Sequence, residues 1–120
     1  MPTVTTRKKG DVGEAVAERF LVEKGFRILL RNYYYDRGEI DLIAEDGSTI
    51  VFVEVKTRMS SSHGTAEESI TPEKELYLKR TAEGYLREHN KESVRCRFDL
   101  IAVELNNPHP VVRHVRDIFS

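Results

Sequence analysis

From Asp11 the apolar residues Val12, Ala15, Val16, Ala17, Phe20 and Leu21 recur at helical spacing, and Lys24–Gly25 supply a cation and a glycine to close a helix over 11–24. The stretch "FRILLRNYYY" (Phe26 to Tyr35) is rich in branched and aromatic side chains and predicts a strand. Two more strands, 39–45 and 50–56, flank Asp46–Gly47, a dipeptide that favours a tight hairpin turn. After a polar loop from Met59 to Ser69, Thr71 and Pro72 supply an N-cap and a first-turn proline. Leu78, Ala82, Tyr85 and Leu86 give the second helix a buried face as far as about His89. "VRCRFDLIAVEL" (Val94 to Leu105) predicts a fourth strand, "NNPHP" a turn, and "VVRHVRDIF" a short fifth strand. The order is α-β-β-β-α-β-β, an α/β fold with a mixed sheet and flanking helices. Residues 1–10 are polar and predict a flexible tail, leaving 11–120 as a single domain.

The hairpin carries more than its outline. With Asp46–Gly47 as the turn, Ile43 faces Ile50, Asp41 faces Phe52 and Glu39 faces Glu54. Paired residues share a face and side chains alternate along each strand. One face then holds Ile40, Leu42, Ala44, Val51, Val53 and Val55, wholly apolar, as a core face should be. The other holds Glu39, Asp41, Ile43, Phe52, Glu54 and Lys56, with its charges gathered away from the turn.

Composition narrows the class. At 39% hydrophobic and 32% charged residues, the 120-residue chain is globular and long enough for one core. A net charge of −1 lacks the basic excess expected of a strong non-specific nucleic-acid binder, although it leaves room for a local basic surface. The single cysteine, Cys96, rules out an internal disulfide and a Cys-cluster zinc site. No apolar run follows the charged N-terminus or approaches membrane-spanning length, so the expectation is a soluble, cytoplasmic protein with no membrane partner.

Like charges set opposite one another weaken a sheet, so Glu39 against Glu54, with Asp41 diagonal, needs a reason. A divalent cation supplies one. Magnesium is held by one or two carboxylates, with waters and substrate phosphate oxygens completing its shell. A bound metal polarises a phosphoryl oxygen and helps generate hydroxide, while a nearby lysine offsets charge developing at phosphorus. Asp41, Glu54 and Lys56 therefore form a candidate set for phosphodiester hydrolysis. The plainer alternative is a half-exposed hairpin in which Lys56 merely neutralises Glu54.

The residues "GEIDLIA…FVEVKTR" resemble the YraN-like proteins (uncharacterised protein family 0102), a bacterial family related to the PD-(D/E)XK, restriction-endonuclease-like superfamily that includes Holliday-junction resolvases. "GEAVAERFLVEKGFRILLRN", "HGTAEESITPEKELYLKRTAEGYL" and "RFDLIAV" extend the resemblance from about Gly10 to Phe119. It implies a restriction-endonuclease-like mixed sheet and a magnesium- or manganese-dependent nuclease. Within the superfamily pattern, Asp41 matches the motif aspartate, and Glu54 and Lys56 the ExK pair. The resolvase-like branch adds a first-helix glutamate, which falls on Glu14. The expected substrate is DNA, branched or single-stranded, and a homodimer would suit a four-way junction. The alternative is a non-catalytic nucleic-acid-binding accessory protein of the same fold; a third reading is an interaction domain whose charged hairpin face docks a basic partner.

Other candidates stand beside plainer readings. Glu14 also suits a helix dipole, and Glu39 is either a third metal carboxylate or a strand-start cap. Arg58 and His63 are candidate phosphate contacts, although polar loops carry such charges for solubility. Lys74, at a helix N-terminus where a cation opposes the dipole, is a candidate nucleic-acid contact. Of Tyr33, Tyr34 and Tyr35, alternation puts the outer two on one side, and at least one is expected to pack rather than stack on bases. Asp99 reads as a structural partner of Arg97 or Arg95.

Overall fold

The computed structural model describes residues 6–59, 64–106 and 108–119. Its elements are α1 (Thr6–Glu23), β1 (Arg27–Tyr35), β2 (Gly38–Asp46), β3 (Thr49–Arg58), a 3-10 turn (Ala66–Ser69), α2 (Pro72–Glu88), β4 (Cys96–Glu104) and β5 (Val111–Val115). Among the described residues the five strands form one sheet in the order β1-β2-β3-β4-β5. Only β3 and β4 are parallel, paired from Ile50↔Cys96 to Arg58↔Glu104, and the other neighbours are antiparallel. A parallel pair needs a crossover, and α2 is that crossover. The mixed sheet and the α-β-β-β-α-β-β order match the sequence reading.

Alternation along β3 divides the core. Val51 and Val53 pack with Leu42, Ala44, Ile101 and Val103 against Ala17 and Leu21 of α1, with Val55 half-buried beside them. Ile50 and Phe52 pack with Ile43 against Leu78, Ala82 and Tyr85 of α2. Each fully buried side chain of this kind contributes about 1.5–3 kcal/mol by leaving water. The helices therefore cover opposite faces of β3.

Several expectations shift. α1 starts at Thr6, not Asp11, so the tail expected over 1–10 gives way to helix from residue 6. No apolar position marks that first stretch, which is why periodicity misses it. At the C-terminus the expected strand to Phe119 stops at Val115. Asp117 adopts a positive φ of 56° and donates its N–H to Asp99 Oδ1 at 3.0 Å, turning the chain.

The hairpin register is two residues from the expected one. Asp46 pairs with Thr49 and Ile43 with Phe52, leaving Gly47 and Ser48 in the turn. Gly47, with φ of 62°, takes the first central position, where glycine suits a two-residue hairpin. Asp46 is kept in the strand by Arg97, whose Nη2 lies 3.0 Å from its Oδ2. A shift of two preserves the faces of β3 but replaces Glu39 as the residue next to Glu54. The ladder runs out at Leu42↔Val53, and one step beyond stand Asp41 and Glu54.

Alternation also slips between Ile40 and Leu42. Ile40 was expected beside Leu42, yet it packs with Ile43 on the α2 side while Leu42 packs against α1. The slip coincides with the Asp41 carboxylate turning inward to accept the Val55 N–H at 2.8 Å. In the neighbouring strand Asn32 has a φ of 52°, and the β1–β2 register shifts between Ile28 and Leu30.

Candidate active site

Two close approaches position the acidic residues. Gly13 lies so near β3 that a β-carbon there would stand 1.7 Å from Thr57 Oγ1, so only glycine lets α1 bring Glu14 beside the end of β3. Gly38 plays the same part for α2. A β-carbon there would stand 1.9 Å from Thr81 Oγ1 and 3.1 Å from the Tyr77 carbonyl oxygen. Thus the first residue of β2 lies directly against the helix that carries Lys74 and Tyr77.

Between β2, β3 and α2 opens a cleft of about 390 Å³ lined by Arg37, Glu39, Asp41, Glu54, Lys56, Lys74 and Tyr77, among others. Asp41 and Glu54 lie at its floor, 9% and 8% exposed. They lie close enough for each charge to bear on the other. Burial, then the Glu54 charge, push the Asp41 pKa well above the usual carboxylate range, although the Val55 N–H opposes the shift.

Lys74 reaches the floor from α2. Its Nζ lies 2.5 Å from Glu54 Oε2. Burial works against its charge, but the bond to Glu54 and the charges of Glu54, Asp41 and Glu39 outweigh this and raise its pKa. Thr71 Oγ1 accepts the Lys74 backbone N–H at 3.1 Å, the N-cap expected from the sequence. Lys56 also lines the cleft but is exposed and pairs with no carboxylate among the described residues. The plainer alternative, in which Lys56 neutralises Glu54, does not hold, because the cation paired with Glu54 is Lys74.

Glu14 and Glu39 form a second pair. With the Asn32 amide oriented nitrogen-inward, it donates to Glu14 Oε1 at 3.0 Å and Glu39 Oε2 at 3.1 Å. Burial first, then the charges of Glu39 and Asp11, raise the Glu14 pKa, and Glu54 adds to the shift. The four carboxylates therefore fall into a buried pair and an Asn32-bridged pair. Among the described residues no group of three or more His, Cys, Asp or Glu side chains converges on one point.

The remaining candidates lie elsewhere. Arg58 is directed to the following loop, with Nη1 donating to the Gly64 carbonyl at 2.5 Å, and does not line the cleft. His63 lies outside the described residues. Tyr33 packs edge-on to Tyr85 and donates its hydroxyl to Glu88, while the Tyr35 ring lies against Gly84 and its hydroxyl accepts from Arg87 at 2.8 Å. Tyr34 is 68% exposed on the other side, as alternation required. Asp99 is fully buried and paired with Arg97, as expected, but His114 Nε2 at 2.8 Å was not foreseen. Arg37 and Tyr77 were missed as cleft residues. Their signals were present: Arg37 adjoins the Gly38 approach, and Tyr77 sits one helical turn beyond Lys74.

The sequence profile of Uncharacterised protein family UPF0102 matches residues 13–103. The chain belongs to this family. Among UPF0102 relatives, a protein of Moorella thermoacetica is 45% identical over 109 residues, covering 91% of each chain. One from Chlorobium phaeobacteroides is 50% identical over 94 residues, 78% of this chain and 75% of its own. One from Symbiobacterium thermophilum is 46% identical over 99 residues, 82% of this chain and 84% of its own. The UPF0102 profile spans α1 from Gly13 through most of β4, so it encloses every residue of the cleft. No helix among the described residues is long and apolar enough to cross a membrane.

Proposed function

We propose that the cleft hydrolyses phosphodiester bonds of DNA, with magnesium or manganese held by Asp41 and Glu54. The observation that carries this reading is the buried carboxylate pair at the cleft floor, ringed by Arg37, Lys56 and Lys74. Two adjacent carboxylates with open cleft above them suit a hard cation that keeps several waters. The raised Asp41 pKa supports the same fit, because burial beside Glu54 disfavours a second negative charge that a cation would neutralise. Such an ion would polarise a phosphoryl oxygen and make bound water a better nucleophile.

The chain's own residues supply the rest. Asp41 and Glu54 are fixed by strand backbone, and the Val55 N–H orients Asp41. Glu14 and Glu39 stand one Asn32 amide apart, and of the two Glu39 lines the cleft. Lys56, in no ion pair among the described residues, would meet a non-bridging phosphate oxygen as charge develops there. Arg37 and Lys74 suit flanking phosphates, and Tyr77 offers a ring at the cleft wall.

A panel of duplex, flap, single-stranded and four-way DNA, incubated with magnesium or manganese, tests the reading. Cleavage of at least one substrate is expected, and Asp41→Asn should abolish it. DNA binding that weakens with salt but never leads to cleavage would instead identify a non-catalytic accessory protein.

A further inference from the structure

Lys74 is an odd residue to find in the first turn of α2. A cation there opposes the helix dipole, so local helix energetics do not explain it. Its gain comes from the cleft, where Nζ contacts Glu54 Oε2 at 2.5 Å. The two partners are unequally held. Glu54 is anchored in β3 with its side chain 10% exposed, whereas the Lys74 side chain is 46% exposed on a flexible four-carbon stem. The lysine backbone is fixed by its bond to Thr71, so only the stem need swing to part the pair. Lys56 lines the same cleft without entering an ion pair among the described residues.

We propose that Lys74 is the resident counter-ion of this site, holding Glu54 in place of a divalent cation and yielding it when the cation arrives. This rests on the metal-dependent reading of the cleft. The lysine and the metal compete for one carboxylate, so apparent metal affinity is lowered by the fraction of molecules in which Lys74 holds Glu54. Displacement turns the ammonium toward the open cleft, where an entering phosphate would meet it. The same side chain then links two events: the site accepts metal more readily once an anionic substrate offers Lys74 another partner. Metal and DNA should therefore each strengthen binding of the other, by reciprocity.

Calorimetry with manganese and no DNA tests this on the wild-type protein, Lys74→Met and Lys56→Met. Both substitutions remove one positive charge from the cleft, but only the first removes a competitor. Lys74→Met should bind manganese about tenfold or more tightly than wild type, as expected when one close, partly buried charge pair is lost, and clearly more tightly than Lys56→Met. Equal affinity in Lys74→Met and wild type, or equal gains in the two variants, would overturn the role of Lys74 and leave the metal reading standing. No manganese binding by any of the three would overturn both. Should Lys74→Met fail to fold, the wild-type protein answers through the nitrogen resonance of the Lys74 ammonium during a magnesium titration. Displacement should shift it in step with saturation, and an unmoved resonance at saturation would refute displacement.

Discussion

Lys56 and Lys74 stand over the same acidic pair, but only Lys74 is tied to it. That difference sharpens what each substitution should do. Lys56 is exposed and unpaired among the described residues, so Lys56→Ala should change stability by no more than about 1 kcal/mol. In an active nuclease it should slow cleavage by about 100-fold or more, the scale of one lost electrostatic donor, with a much smaller effect on DNA binding. Lys56→Arg should fold and bind but cleave poorly, because its charge is spread over a plane. Single-turnover kinetics beside binding measurements check all three, and full-rate cleavage by Lys56→Ala would remove the residue from the mechanism. Asp41, Glu54 and Lys56 could be picked out from the sequence because a charged end on an otherwise apolar hairpin is a local pattern. The Lys74 contact could not, since it joins residues 20 positions apart through the placement of a helix. Nor could the true register, because Asp46 is held in its strand by Arg97, 51 positions away.

At the scale of elements, α2 meets β2 across Gly38, and the fit is close enough to test. Gly38→Ala would drive a methyl group into Thr81 Oγ1, and overpacking of this kind costs about 1–3 kcal/mol. Thr81→Ala removes the nearest atom, at the expense of a hydroxyl bond to the Tyr77 carbonyl of 2.7 Å. The double variant should therefore be more stable than the sum of the single losses predicts, a coupling that urea denaturation can measure. Additive losses would place the strain elsewhere. The buried face of α2 was readable from Leu78, Ala82 and Tyr85, which repeat at helical spacing. The early start of α1 was not, because residues 6–10 carry no apolar position to mark a face.

Across the whole molecule, a second buried charge network lies away from the cleft. Asp99 accepts from Arg97, His114 and the Asp117 N–H, tying β4 to β5 and the C-terminal turn. Burial alone would raise its pKa, but these bonds outweigh burial and hold it below its ordinary value. A carboxylate whose folded pKa is depressed binds fewer protons folded than unfolded. Its stabilisation is thus present above the unfolded value, about 4, and is lost as pH falls through the lower folded value. Acid unfolding of the wild-type protein should show this loss, and Asp99→Asn should flatten it. The variant should also be less stable at neutral pH by about 1–3 kcal/mol, the scale of lost hydrogen bonds to a charged group, since Arg97 keeps its bond to Asp46. A pH–stability curve unchanged by the substitution would deny Asp99 this part.

The left-handed backbone at Asn32 has a consequence beyond the carboxylates it bridges. Among the described residues β1 is an outermost strand of the sheet with one edge unpaired, and such an edge is a template on which another chain can add a strand. A residue with φ of 52° cannot continue that row of outward amides, so it interrupts the template midway. Valine at this position favours a straight, extended strand. Asn32→Val should thus cost stability and also promote concentration-dependent self-association, whereas Asn32→Gly should keep the kink and associate no more than the parent protein. Light scattering across a concentration series separates them; if both variants behave alike, the kink does not guard the edge. One asparagine would then serve two ends, ordering acidic groups within a molecule and keeping neighbouring molecules apart.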